Sequence, residues 1–379
     1  MTESSDVVII GGGVAGCATA YYLSLAGVKA TIIEREGVGS QASGFSAGGL
    51  NPLEGSCIPG PLSPLAMTSF NLHKEVWGKL KQQTGIDFHS RIISLTKVAF
   101  DEAEVPDLQE SMGRFEDARE EGFSGEWLHR SEILKLEPRL SEKTIGGVTL
   151  FGNATLNSLL YTQALAEAAQ KNGAALRSGS ARGVRLDNGR VLAVILDDGE
   201  IACSQVVMAA GPWSREAEPW LDVSLPVDPL KGEILRLEMH GPALEGDFNG
   251  AGASVYPRAD GLVWCGTTEE KQGFNKEPTE AAKDKIWGAA RELLPELAHA
   301  TLAMHTACLR PVTPDYMPIV GRAPGWDNVF LATGAGKKGV LLSTGMGKAT
   351  AELVVEGVTE VPLEGCGPDR FAPNPRTSA

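Results

Sequence analysis

A short β-branched run that breaks into three consecutive glycines constrains this chain more than any other feature. Val7-Val8-Ile9-Ile10 is followed by Gly11-Gly12-Gly13-Val14-Ala15-Gly16. The run suits a buried parallel strand. Ala15 to Ala26 reads as a helix and Lys29 to Glu34 as a second strand, so the segment opens as a strand–helix–strand unit. Within G-x-G-x-x-G, Gly11 permits the tight turn, Gly13 lets the backbone approach a pyrophosphate, and Gly16 lets the helix pack close to the strand. The helix N-terminus offers free N–H groups and a positive partial charge to phosphates. Glu34 falls 18 residues after Gly16, where a carboxylate accepts hydrogen bonds from ribose hydroxyls and disfavours a 2′-phosphate. The plainer alternative is a glycine turn beside a solvated glutamate. Strand before, helix after and acid in place together argue against it.

Composition narrows the partners. The 379 residues, 42% of them hydrophobic, suffice for a sizeable core in two or three structural units. A net charge of -14 repels phosphate backbones and anionic lipids, so neither nucleic acid nor a membrane surface is expected. A local basic pocket for a small anion remains compatible with it. The six cysteines form no C-x-x-C pair, and the six histidines are scattered without metal spacing. These patterns argue against a metal site or a disulfide framework and favour a reducing compartment. The apolar stretch Val7 to Val28 has no basic residues before it and is interrupted by glycines. It reads as neither a signal peptide nor a membrane span, and a cytoplasmic location is expected.

Gly37 to Pro64 is rich in Gly, Ser and Pro, and a long irregular stretch in a compact enzyme is usually functional. Helices are expected at Ser69 to Thr84, Asn157 to Asn172, Lys283 to Leu294 and Leu341 to Glu356. Asp101 to Arg139 reads as charged, with helical pieces. Strands are expected around Ile92 to Phe100, at Val191 to Leu196, Ala202 to Cys203, Val206 to Ala210, Ile234 to Glu238, Ser254 to Arg258, Leu262 to Cys265 and Val329 to Thr333. The glycine motif by itself does not separate FAD from NAD. Its position near residue 1 and the Ser/Gly/Ala loop Ser40 to Leu50 after Glu34 favour FAD, whose flavin end needs a second set of close backbone approaches.

With those segments stands Val206 to Ser214, Pro229-Leu230-Lys231-Gly232-Glu233, and Leu309-Arg310-Pro311-Val312-Thr313-Pro314-Asp315 through Gly321, with Gly334 to Leu341 behind it. In this order the chain resembles the D-amino-acid-oxidase (DAO) superfamily of FAD-dependent oxidoreductases, in the branch with glycine oxidase and monomeric sarcosine oxidase. The resemblance implies an α/β fold: a Rossmann-like FAD-binding domain of the glutathione-reductase type with a second, antiparallel-sheet substrate domain. The FAD domain would comprise 1–85, 146–220 and 319–365, and the substrate domain 86–145 and 221–318. Residues 366–379 would form a loose tail. Gly11, Gly13, Val14, Ala15, Gly16, Glu34, Arg35, Ala42, Ser43, Ala47, Gly48 and Gly49 would lie against FAD, with Arg182 near the adenine end and Gly211 beside the cofactor. Gly336, Lys337, Lys338, Gly339, Val340 and Leu341 would wrap the flavin edge. A cation there favours a reduced anionic flavin; the other reading of the two lysines is solvated surface.

The resemblance places Arg310 where relatives grip a substrate carboxylate, and a planar guanidinium suits that task. Lys337 is a second candidate for substrate binding. Ser254 stands where glycine oxidase has a tyrosine, and period-two alternation puts Tyr256 on the same face as a substitute. Cys308 matches the sarcosine-oxidase cysteine bonded to flavin; a plain buried cysteine is the alternative. The implied reaction is FAD-dependent C–N oxidation of a small amine or amino acid by hydride transfer, with no side-chain base required. The product imine hydrolyses. Glycine, an N-methyl or D-amino acid and a cyclic amine all remain candidates, as do oxygen and a quinone or redox partner as acceptor. Rival readings are a 2-hydroxy acid dehydrogenase, a noncatalytic flavin protein and a nicotinamide dehydrogenase. Self-association into a homo-oligomer stays open.

Overall fold

The computed structural model describes residues 3–372. Among them, an eight-stranded sheet takes the order 319–322, 329–333, 199–208, 3–10, 30–34, 175–178, with the hairpin 181–187/190–196 joined to 199–208. Its four central pairings are parallel. Alternation along the first strand divides two cores. Val7 and Ile9 face the helices Val14–Leu25, Ser158–Lys171 and Gly339–Val355, whereas Val8 and Ile10 pack with Val194, Met208, Leu221 and Val329. A strand buried on both faces therefore reads as an unbroken apolar run.

The second sheet has nine strands in the order 301–312, 228–238, 263–266, 253–257, 247–250, 91–99, 146–155, 49–50, with 124–129 paired to 146–155. It is antiparallel except where 247–250 meets 91–99. The helix Glu280–Leu293 covers one face through Ile286, Ala290 and Leu293. The other face looks toward the first sheet across a cleft.

Several sequence expectations change. Strand Gly146–Thr155 pairs with Arg91–Ala99, so the boundary expected at 146 falls after Thr155, and Gly49–Leu50 also joins the second sheet. Strand Ser124–His129 lies inside the charged segment expected to hold helical pieces, where no strand was expected. Gly152, with φ +98°, interrupts the alternation that would have disclosed its partner strand. The two short strands expected at 202–203 and 206–210 are one, Gly199–Met208. The loose tail is tied down as far as it is described. Cys366 is buried, its carbonyl accepts from Val320 N at 2.9 Å, and Arg370 pairs with Asp315 at 2.8 Å; residues 373–379 lie outside the described residues. No described helix is long and apolar enough to cross a membrane.

Candidate active site

A cleft of about 540 Å³ separates the two sheets. Every cofactor and substrate residue expected from the sequence lines it except Gly16 and Leu341. Gly16 faces inward: a Cβ there would stand 2.0 Å from Gly11 O, so glycine sets the helix–strand approach. Leu341 is a core residue, 1% exposed; the pattern that placed it beside the turn did not reveal which way the following helix faces.

At the dinucleotide end, helix Val14–Leu25 starts with no side-chain cap and no acid in its first turn. Val14 N donates to Ser43 Oγ at 3.0 Å. Glu34 is fixed by backbone donors. Its Oε2 accepts from Gly12 N at 2.8 Å, and Oε1 from Glu36 N at 2.8 Å and Gly37 N at 3.3 Å. Gly211 has φ +54° and its carbonyl accepts from Ser214 and Thr333 hydroxyls. Arg182 is paired with Asp197 at 2.6 Å on the surface, so its guanidinium is already occupied. Arg35 lies 4.2 Å from the Trp213 ring.

Across the cleft, Thr306, Cys308 and Arg310 project from one face of strand Thr301–Val312. Arg310 Nη1 donates to Thr268 O at 3.0 Å. Among the described residues it has no carboxylate partner, so most of its five donors are uncommitted. Gly232 lies beneath it, where a Cβ would stand 2.3 Å from Arg310 Cζ. Tyr256 also lines the cleft. Burial pushes its phenol up, against a smaller opposing effect of Ser254, which keeps it a neutral hydroxyl. Burial likewise raises the Cys308 thiol, Arg310 opposing it; a reactive thiolate is not favoured there.

The two lysines after Gly336 part company. Lys337 pairs with Glu269 at 2.7 Å at the rim. Lys338 turns inward and donates to Asn51 O at 3.0 Å and Glu54 O. Burial lowers it to about 8. Glu54 also receives Lys97 at 2.6 Å and Arg114 at 3.0 Å.

Sequence reading missed three groups. Arg258 is held by Asp247 at 2.7 and 3.1 Å, donates through Nε to Ala47 O at 2.5 Å, and lies 4.9 Å from the Tyr256 ring. It thus links the second sheet to the Ser40–Leu50 loop, and only its place directly after Tyr256-Pro257 could have flagged it. His73, wholly buried, sits under the glycine turn with Nε2 at 2.9 Å from Val340 O and 3.1 Å from Leu341 O. A lone histidine within a helix carries no sequence signal for that. Asn153 lines the cleft at 4% exposure with both amide atoms unpartnered, and Asn249 Oδ1 and Thr306 Oγ1 are also unpartnered. Buried polar atoms left unpaired in a cleft are what a polar ligand satisfies. With the uncapped helix N-terminus and the fixed Glu34, they fit FAD. Among the described residues no cluster suits a metal ion, and all six cysteines are free.

Comparison with known proteins agrees in extent with this geometry. The family profile described as FAD dependent oxidoreductase (DAO) matches residues 6–353. A glycine oxidase of Pseudomonas aeruginosa is 30% identical over 353 residues, covering 93% of this chain and 95% of its own. The crystal structure of glycine oxidase from Geobacillus kaustophilus superposes with TM-score 0.90 at 29% identity, over 98% of this chain and 100% of that one. Iminodiacetate oxidase from Chelativorans sp. BNC1 gives TM-score 0.87 at 26% identity, over 97% and 98%.

Proposed function

The chain belongs to the DAO family of FAD dependent oxidoreductases, and from that premise we propose that it oxidises the C–N bond of a small amino acid, primary or N-substituted, held by its carboxylate. The observation that carries this reading is Arg310: a guanidinium facing the cleft, stacked over Gly232, spent on one carbonyl and otherwise unpaired among the described residues. That arrangement suits bidentate carboxylate binding. The glycine oxidase and iminodiacetate oxidase relatives support it.

FAD, when bound, supplies the two-electron acceptor that takes hydride from the substrate carbon. Glu34 and the first turn of helix Val14–Leu25 would hold its ribose and pyrophosphate. Ala47–Gly49 and Gly336–Val340 would enclose its ring end. The chain's remaining work is orientation and exclusion of water. Arg310 fixes the carboxylate, and the neutral Tyr256 hydroxyl stands on the substrate side. The amine enters neutral, so no side-chain base is needed, and released imine hydrolyses in water. Cys308, kept protonated by burial, leaves the cofactor noncovalent. Lys338 sets a positive charge near the ring end.

The test is anaerobic bleaching of the purified yellow protein by glycine, sarcosine, D-alanine, L-proline and glycolate. Bleaching by amino acids but not glycolate is expected. Glycolate as the sole effective reductant would replace C–N with C–O oxidation. Acid precipitation should leave the flavin in the supernatant, and readmitted air tests oxygen against a quinone by the peroxide formed.

A further inference from the structure

Between strand Val263–Gly266 and helix Glu280–Leu293 runs a strap, residues 267–279. It begins beside Arg310, whose Nη1 is bonded to Thr268 O. Its exposed tip crosses to the first sheet's side. There Phe274 stacks on Trp213 with ring centroids 5.7 Å apart, and Lys276 lies 3.9 Å from Glu36.

Two buried residues staple this strap from behind the cleft. Glu233 and Lys231 point away from Arg310, on the opposite face of strand Asp228–Glu238, and both are fully buried. Glu233 holds the beginning of the strap through its main chain. Its N–H donates to Thr268 Oγ1 at 3.1 Å, and its carbonyl accepts from Thr268 N at 3.3 Å. Its carboxylate holds the end, accepting from Thr279 N at 2.9 Å and Thr279 Oγ1 at 3.2 Å. Lys231 exchanges two backbone hydrogen bonds with Glu270, each 2.9 Å, and its ammonium donates to Glu277 O. The two side chains pair at 2.8 Å, with His305 Nε2 2.7 Å from the carboxylate.

We propose that the Glu233–Lys231 pair is a positioning device for substrate recognition: its main chain pins the strap at Thr268 and Glu270, its side chains hold the strap's return at Glu277 and Thr279, and the Thr268 carbonyl so placed aims Arg310. The physical reason is rotational. A guanidinium with one neutral acceptor and no carboxylate partner has its plane set by that acceptor and by the flat surface under it. Gly232, between the two staples, supplies the surface. Loosening Thr268 leaves the cation in place but turns its fork, and a bidentate contact is sensitive to that angle. Neither residue of the pair lines the cleft.

The inference rests on Arg310 as the carboxylate anchor. The holoenzyme variants Glu233→Gln and Thr268→Val test it, the second leaving the buried ion pair intact. Acetate and acetamide are titrated against the flavin visible spectrum, and anaerobic reduction by glycine is compared with reduction by methylamine. The expected result is a Kd for acetate raised about tenfold or more, an unchanged Kd for acetamide, and an effect on glycine but not methylamine. Equal weakening of acetate and acetamide in both variants overturns the proposal, as does an unchanged acetate Kd in Thr268→Val. Acetate binding does not depend on turnover. A wild-type protein that binds acetate but is reduced by no amine would therefore sink the proposed reaction while leaving this positioning role open to the same titration.

Discussion

Among the described residues Arg310 has no carboxylate partner, and on the proposed reading its partner is the substrate. Removing the arginine should therefore cost substrate binding far more than stability. Arg310→Ala is expected to lower kcat/KM for carboxylate substrates by about 3 kcal/mol, roughly a hundredfold, with the melting temperature almost unchanged. Steady-state kinetics beside thermal unfolding would show it, and an equal loss with a carboxylate-free amine would refute the assignment. His73 makes the opposite case, a titratable group working inside the fold. Burial, outweighing two backbone hydrogen bonds, lowers it to about 4 from 6.5. The folded ring stays neutral while the unfolded chain takes up a proton near 6.5. Its stability contribution is thus complete above that pH and drains away as pH falls toward 4, by an amount on the order of 3 kcal/mol. His73→Gln should flatten that acid loss in denaturant titrations between pH 7 and 4.5; a parallel decline in both proteins would show that another group governs it.

Helix Gly339–Val355 ties the glycine turn before it to helix Val14–Leu25. It crosses Val14–Leu25 at Gly347, where a Cβ would stand 2.6 Å from Ala18 Cβ and 2.7 Å from its carbonyl carbon. Gly347→Val is expected to destabilise by about 1–3 kcal/mol through overpacking, and to weaken flavin retention because the helix begins at the cleft wall. Thermal unfolding with flavin content after gel filtration would check both; full retention at wild-type stability would contradict the crossing. At this scale the sequence was readable where local chemistry repeats a rule. Asn157 caps its helix by accepting from Leu160 N at 3.0 Å, and Gly85 ends another with φ +77°. It was unreadable for Gly146–Thr155 because paired glycines and a bulge break the period-two pattern that announces a strand.

The two sheets share one cleft, so ligand binding and global stability are linked. FAD at a hundred times its Kd should stabilise the folded state by about 2.7 kcal/mol, seen as a rise in melting temperature of apoprotein on titration with FAD; NAD at the same excess should leave it unmoved. The sequence by itself determined the strand–turn–helix with Glu34 at its end and the irregular Ser40–Leu50 loop, because each depends on residue types at fixed spacing along one segment; Arg310 was singled out by the family resemblance of the segment around it. The sequence also carried the cofactor and the general division into two sheets. Tertiary structure alone decided which lysine turns inward, that Arg258 reaches Ala47, that residues 146–155 join the second sheet, and that Glu233 stands behind Thr268. Those outcomes depend on which backbone atoms arrive from segments tens to hundreds of residues away. A side chain's charge and shape do not specify its partner until folding has brought that partner within a few ångströms.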